Sequence, residues 1–204
     1  KDTISKDIHF NFNEVKLSSI TPEIDSLKLR GVINGTLNYN QIQKQLKPTA
    51  NLLISDFNIN NSYQGNLKID VEGKNSLQNY ALNMSLERDK SINLSAVGEI
   101  DFTPKKPIIN VTVDFEEFKF DAFSPLGEDV FNNIRGVVYG SAHLTGFLNN
   151  PTMEGDLFLD DAGLYFPYLN VDYDFDGTSI INLKDQTFIF EDVNLKDKAY
   201  HTKG

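Results

Sequence analysis

Six consecutive residues, Asp172-Tyr173-Asp174-Phe175-Asp176-Gly177, reproduce the opening of a calcium-binding EF-hand loop. In that loop acidic oxygens at alternate positions and a sixth-position glycine wrap around the ion. The twelfth position, where a bidentate Glu belongs, is Leu183. Tyr173 and Phe175 also continue an apolar alternation from Leu169 and Val171, which puts the three carboxylates on the wet side of a strand. Asp172, Asp174 and Asp176 are therefore weak calcium candidates, and solvated acidic residues are the preferred reading.

Other chemistry is equally thin. His9, His143 and His201 stand apart, at no spacing that suits a metal or a triad. Ser141 lies near His143 but lacks the strand-to-helix elbow of a serine nucleophile. Asp160-Asp161 and Glu116-Glu117 are adjacent pairs. Neighbours on a strand point to opposite faces, whereas retaining glycosidases need two carboxyls about 5 Å apart. The expectation is a chain that is not an enzyme and needs no cofactor.

The elements that would position any site are strands. Apolar residues alternate with polar ones at Leu67, Ile69, Val71; at Leu82, Met84, Leu86; at Val111, Val113, Phe115; and at Leu169, Val171, Tyr173, Phe175. A period of two gives each strand one dry face and one wet face. Turn clusters at Asn60-Asn61-Ser62, Gly73-Lys74-Asn75-Ser76, Arg88-Asp89-Lys90-Ser91, Pro104-Lys105-Lys106-Pro107 and Asn149-Asn150-Pro151 separate strands of six to ten residues, which favours an antiparallel meander. One short helical turn is expected in each half. The second is capped by Ser124 and Pro125 with an apolar stripe of Leu126, Val130, Phe131 and Ile134, and the first starts at Thr21-Pro22-Glu23.

The halves resemble each other. Residues 8–22 lie without a gap on residues 111–125, with Phe12 over Phe115, Glu14 over Glu117 and Lys16 over Lys119. Arg30-Gly31-Val32-Ile33-Asn34-Gly35 then falls on Arg135-Gly136-Val137-Val138-Tyr139-Gly140, and Leu52-Leu53-Ile54-Ser55-Asp56 on Leu157-Phe158-Leu159-Asp160-Asp161. The expected organisation is two units, 1–103 and 104–204, of an array in which each unit touches mainly its neighbours.

Composition bounds the partners. The chain has 204 residues, a net charge of -10 and a pI near 4.7, so no basic stripe is available for nucleic acid or an anionic surface. With no Cys there is no disulfide framework. No run approaches the roughly 20 apolar residues of a membrane span. The opening at Lys1 and the lack of a signal peptide read as a piece cut from something longer.

Burying one Val, Leu, Ile or Phe side chain contributes roughly 1.5–3 kcal/mol, so dozens of dry-face residues require a cover. A β-sandwich supplies it with a second sheet. An open groove leaves the cover to acyl chains or an unfolded client, lined by Leu67, Ile69, Val71, Leu82, Met84, Leu86, Val111, Val113, Phe115, Leu157, Leu159, Leu169, Val171, Tyr173 and Phe175. Mostly aliphatic and Phe lining suits acyl chains, which need area and no directional bonds.

From Val97 to Leu195 the chain resembles the TamB family, the translocation and assembly module of the Gram-negative envelope and part of the AsmA-like, bridge-like lipid-transfer superfamily, in its Bacteroidota form. The resemblance rests on Gly98-Glu99-Ile100-Asp101, Phe118-Lys119-Phe120, Ile134-Arg135-Gly136-Val137-Val138-Tyr139-Gly140, Leu144-Thr145-Gly146 and Asn150-Pro151-Thr152-Met153-Glu154-Gly155-Asp156-Leu157. It continues through Ala162-Gly163-Leu164, Val171-Asp172-Tyr173-Asp174-Phe175 and Phe190-Glu191-Asp192-Val193-Asn194-Leu195-Lys196-Asp197. It implies an all-β, elongated antiparallel meander of repeats curled into an open groove with an apolar interior. It further implies a periplasmic protein anchored in the inner membrane outside this stretch, carrying phospholipid between the membranes. Assembly or secretion of outer-membrane proteins with an Omp85-type barrel would be a second role. The alternative is a non-catalytic β-sandwich, an adhesin or carbohydrate-binding module.

Overall fold

A computed structural model describes residues 5–21, 28–42, 45–74, 77–122, 132–191 and 193–198. The alternating segments form β1 (Ser5–Lys16), β2 (Leu29–Ile42), β3 (Gln45–Ile59), β4 (Ser62–Gly73), β5 (Asn79–Arg88), β6 (Ser91–Asp101) and β7 (Ile108–Lys119). They continue as β8 (Asn132–Phe147), β9 (Asn150–Phe166), β10 (Val171–Phe175), β11 (Ser179–Asp185), β12 (Thr187–Glu191) and β13 (Leu195–Asp197). All thirteen belong to one antiparallel sheet, each of β1 to β10 beside the next, with β13 on the far side of β10. β9 is long enough to pair twice: Met153–Leu159 holds β11, and Gly163–Phe166 holds β10. The sheet is open, because β1, β12 and β13 each have a single neighbour among the described residues. Two separate facing sheets, the sandwich alternative, are not what the chain forms.

The sheet is curled, and the cause is a row of bulges. Glu14 on β1, Asp56 on β3, Glu117 on β7 and Asp161 on β9 all take φ between 48° and 62°, where the ladders slip by a residue. Left-handed backbone at a non-glycine residue costs about 1–3 kcal/mol. Neighbouring asparagines offset part of it: Asn34 Oδ1 accepts the Glu14 amide at 3.0 Å, and Asn66 Oδ1 accepts the Asp56 amide at 3.3 Å. An inserted residue bends a strand and raises its twist, and bulges repeated across a sheet fold it.

Both halves share this device. Glu14 and Glu117, Asp56 and Asp161 are residues that the internal repeat superposes, and each partner takes the same backbone. Gly35 and Gly140, also superposed, have φ of 146° and 112°, and a side chain at either would meet the carbonyl of Asn51 or Asp156 on the next strand. The short helical turn of the second half falls mostly outside the described residues. Ile134, expected at its end, is instead buried in β8. The turn of the first half begins at Thr21 and runs into residues that are likewise not described. Ahead of both lies one 3-10 turn, Leu17–Ser19 and its counterpart 120–122.

Curling brings non-adjacent strands together at one end. Asn60 Nδ2, in the β3–β4 turn, donates to Ala122 O at 2.9 Å, and Ser62 Oγ donates to Asp121 Oδ1 at 2.6 Å. Inside that end lie Ile33, Ile54, Leu67, Leu86, Phe118, Val138, Leu159 and Ile181, all buried in one cluster contributed by eight strands. At roughly 1.5–3 kcal/mol each, these side chains dominate the stability of the fold.

Candidate functional site

The inner face runs from this packed end to an open one. Register carries it across the sheet: Leu67, Ile69 and Val71 of β4 lie opposite Leu86, Met84 and Leu82 of β5, while Val111, Val113 and Phe115 of β7 lie between Gly98, Ala96, Leu94 and Leu144, Ala142, Gly140. On β4 and β5 burial falls toward that end, with Leu67 and Leu86 buried and Ile69, Met84, Val71 and Leu82 half-buried, whereas on β7 Ile109 and Val111 are buried with Ala96 of β6 in a second, smaller cluster. The face ends in a mouth of about 480 Å3 lined by Val71, Leu77, Tyr80, Ile100 and Phe102. Its size is ordinary for a small-ligand cleft, and among the described residues no charged side chain lines it. Leu77 is 48% exposed and Phe102 44%. The Tyr80 and Phe102 rings meet edge to face at 5.8 Å.

The expected groove residues therefore divide. Leu67, Leu86, Val111, Leu157 and Leu159 are buried in the protein's own core. Ile69, Val71, Leu82, Met84, Val113 and Phe115 occupy the half-open middle of the face. Val171, Tyr173 and Phe175 are half-buried on β10, and Phe175 packs on the core from the packed side. Leu169 is not on a strand: it sits in the β9–β10 turn, 55% exposed, because the hairpin closes at the Phe166–Val171 pair and leaves residues 167–170 to the turn. Sequence alternation missed Leu77, Tyr80 and Phe102. The signal was present, since Tyr80 and Phe102 keep the inward parity of Leu82 and Ile100 past the ends of their runs.

The outer face carries most of the charged side chains, with Leu53, Val97 and Phe158 exposed among them. A shallow concavity of about 710 Å3 on it is lined by Asp114, Glu116, Ser141, His143, Glu154 and Asp156 among others. Ser141 Oγ donates to Asp114 Oδ1 at 2.7 Å, and His143 Nδ1 lies 3.1 Å from Thr112 Oγ1. Serine and histidine thus engage different residues of β7 instead of each other. His9 bonds Asn38 across the β1–β2 pair; His201 lies outside the described residues. Glu117 and Asp161, each second in its acidic pair, are the bulge residues.

The calcium candidates have other partners. Asp172 and Asp174 point to the outer face, where Arg135 Nη1 meets Asp172 Oδ1 at 2.8 Å, Nε donates to Asp174 Oδ1 at 3.1 Å and Nη2 donates to Tyr173 O at 2.9 Å. Asp176 accepts from Lys196 Nζ at 2.6 Å. The guanidinium crosses directly over Gly163, the residue opposite Arg135 on β9, and any side chain there would collide with it. Partial burial works against the charge of Arg135, but the hydrogen bonds to Asp174 and Asp172 outweigh it and raise its pKa. The acidic run is a clamp that fastens β10 to β8 across β9, and its carboxylates line a strand instead of converging on an ion.

Protein-family models, curated proteins and solved structures were each compared with the chain, and none matches it. Among the described residues no helix is long and apolar enough to cross a membrane, which says nothing about crossing with strands.

Proposed function

We propose that the chain is a groove segment of a TamB-like envelope protein that shelters phospholipid acyl chains on their way between the inner and outer membranes, in the periplasm. Assembly of outer-membrane proteins with an Omp85-type barrel would use the same surface. One observation carries the reading: the inner face is sealed by its own side chains at one end, and at the other, past the small cluster of Ala96, Ile109 and Val111, it ends in an apolar mouth around Val71, Leu77, Tyr80, Ile100 and Phe102 that no described residue covers. Hydrocarbon needs such area and no directional partners. The acidic outer face repels anionic headgroups and so leaves the inner face as the lipid side.

Extraction of the natively purified chain tests this. Mass spectrometry should find phospholipid in near-stoichiometric amount, and an apolar dye such as ANS should compete for the site while the far-ultraviolet circular dichroism stays native. A protein free of lipid that neither takes up lipid from vesicles nor binds the dye contradicts the proposal.

A further inference from the structure

Three turns at the open end form one rim. The Phe102 amide donates to Gln78 O at 2.6 Å and the Leu148 amide to Pro107 O at 2.9 Å, which ties the β4–β5, β6–β7 and β8–β9 turns in a row. Four large apolar side chains stand on it, Leu77, Phe102, Phe147 and Leu148, each between 42% and 48% exposed. Lys106 Nζ lies 5.4 Å from the centre of the Phe147 ring. Apolar side chains of this size, exposed on adjoining turns and flanked by polar residues, mark a contact surface.

Charge says what the rim meets. A net charge of -10 speaks against an anionic surface for the chain as a whole, but acidic and basic residues are separated by end. By sequence, the connections at the open end hold Lys44, Lys74, Lys105 and Lys106 and no acidic residue. Those at the packed end hold Glu23, Asp25, Asp89, Asp121, Glu128 and Asp129 against Lys28 and Lys90. Lys74 is neutralised by Glu99. Lys105 and Lys106, between Pro104 and Pro107, are exposed and have no carboxylate partner among the described residues. Asp101, at the start of that turn, is already engaged, since its Oδ1 accepts the Thr103 amide at 2.7 Å.

We propose that the rim docks on a lipid bilayer containing anionic phospholipid. Leu77, Phe102, Phe147 and Leu148 enter the interfacial layer, and Lys105 and Lys106 meet the phosphates beside them. Lysine suits the position, because its aliphatic stem covers apolar surface while the ammonium reaches the headgroups. The acidic packed end then faces away from the membrane. Leu77 and Phe102 also belong to the mouth, so docking sets the mouth against the bilayer. Docking does not depend on lipid entering it.

The chain has no tryptophan, so Leu148→Trp places a single reporter on the rim and Tyr168→Trp a control on the β9–β10 turn at the packed end. With circular dichroism verifying both folds, each whole chain is titrated with phosphatidylcholine vesicles, with and without a third of phosphatidylglycerol. The rim reporter should blue-shift and the chain should cosediment with the anionic vesicles, while the control stays unchanged. Lys105→Ala and Lys106→Ala should each weaken binding about five-fold, and added salt should act in the same direction. Cosedimentation separates docking from the uptake of single lipids into the mouth. Absence of a shift and of cosedimentation overturns the inference, as does an equal shift from the control or equal affinity for the two kinds of vesicle. A chain that copurifies with lipid yet ignores vesicles loses the docking and keeps the lipid reading of its interior.

Discussion

The two ends of the curled sheet are built from the same strands yet do different work. At the packed end, bulges, Asn60 and Ser62 draw distant strands together, and Leu159 and Ile33 vanish from solvent. At the open end the same strands bury only the small cluster of Ala96, Ile109 and Val111, and Leu77 and Phe102 stay about half exposed with no layer over them among the described residues. A single alternating pattern therefore produces a large core where distant strands meet and an open cleft where they do not. Stability and binding should accordingly separate along the strand axis, and mutations at the two ends should divide them.

Leu159→Ala gives the largest expected effect on stability. It removes a fully buried side chain from the central cluster and should cost about 2–5 kcal/mol, measured by urea denaturation. Gly140→Val strikes the curvature itself, through a φ of 112° and the Asp156 carbonyl. A loss of about 1–3 kcal/mol is expected by the same measurement. Arg135→Met leaves Asp172 and Asp174 without their cation. Because the guanidinium is only a quarter exposed, about 1–2 kcal/mol should be lost, with exchange accelerating first in β10.

Phe102→Ser reverses the pattern. Stability should move by no more than about 0.5 kcal/mol, because the ring is already half in water, while lipid occupancy and dye binding fall. Asn51→Ala should have the smallest effect. The hydrogen bond from Asn51, then that from Lys68, holds the Asp70 carboxyl below its ordinary value of 3.8. A carboxyl depressed in the folded state stabilises it above the unfolded pKa, and the contribution disappears as pH falls through the lower folded value. In acid titrations below about pH 4, wild type and Asn51→Ala should therefore converge, from a neutral-pH gap of about 0.5 kcal/mol or less at this exposed site.

Strands and turns were legible because both are local. Period-two alternation located β4, β5 and β7, and Asn60-Asn61 and Asp89-Lys90 sit at hairpin turns as their residue types demand. The turn at Asn149-Asn150-Pro151 is shorter than expected: Asn150 and Pro151 already belong to β9, pairing with Phe147 and Gly146. Curvature was not legible. An acidic residue in a strand, such as Asp56 or Glu117, gives no sign that its backbone will turn left-handed, since the cause lies in the pairing of the whole sheet and, for Asp56, in Asn66 on the next strand. For that reason a uniform groove was expected, whereas Leu67, Leu86 and Leu159 belong to a core. The branch at β9 was hidden for a similar reason, because one 17-residue strand serving two partners looks like any long strand.

Photo-crosslinking from two positions tests the central claim most directly, with a crosslinking residue replacing Phe102 at the mouth or Leu157 in the packed region, in the natively folded chain within the cell envelope. Phospholipid adducts at position 102 and only intramolecular adducts at position 157 are the result expected of an uncovered hydrocarbon face beside a closed core. Adducts at position 102 that join it solely to this chain's own residues or to carbohydrate, with no lipid at any loading, would contradict it.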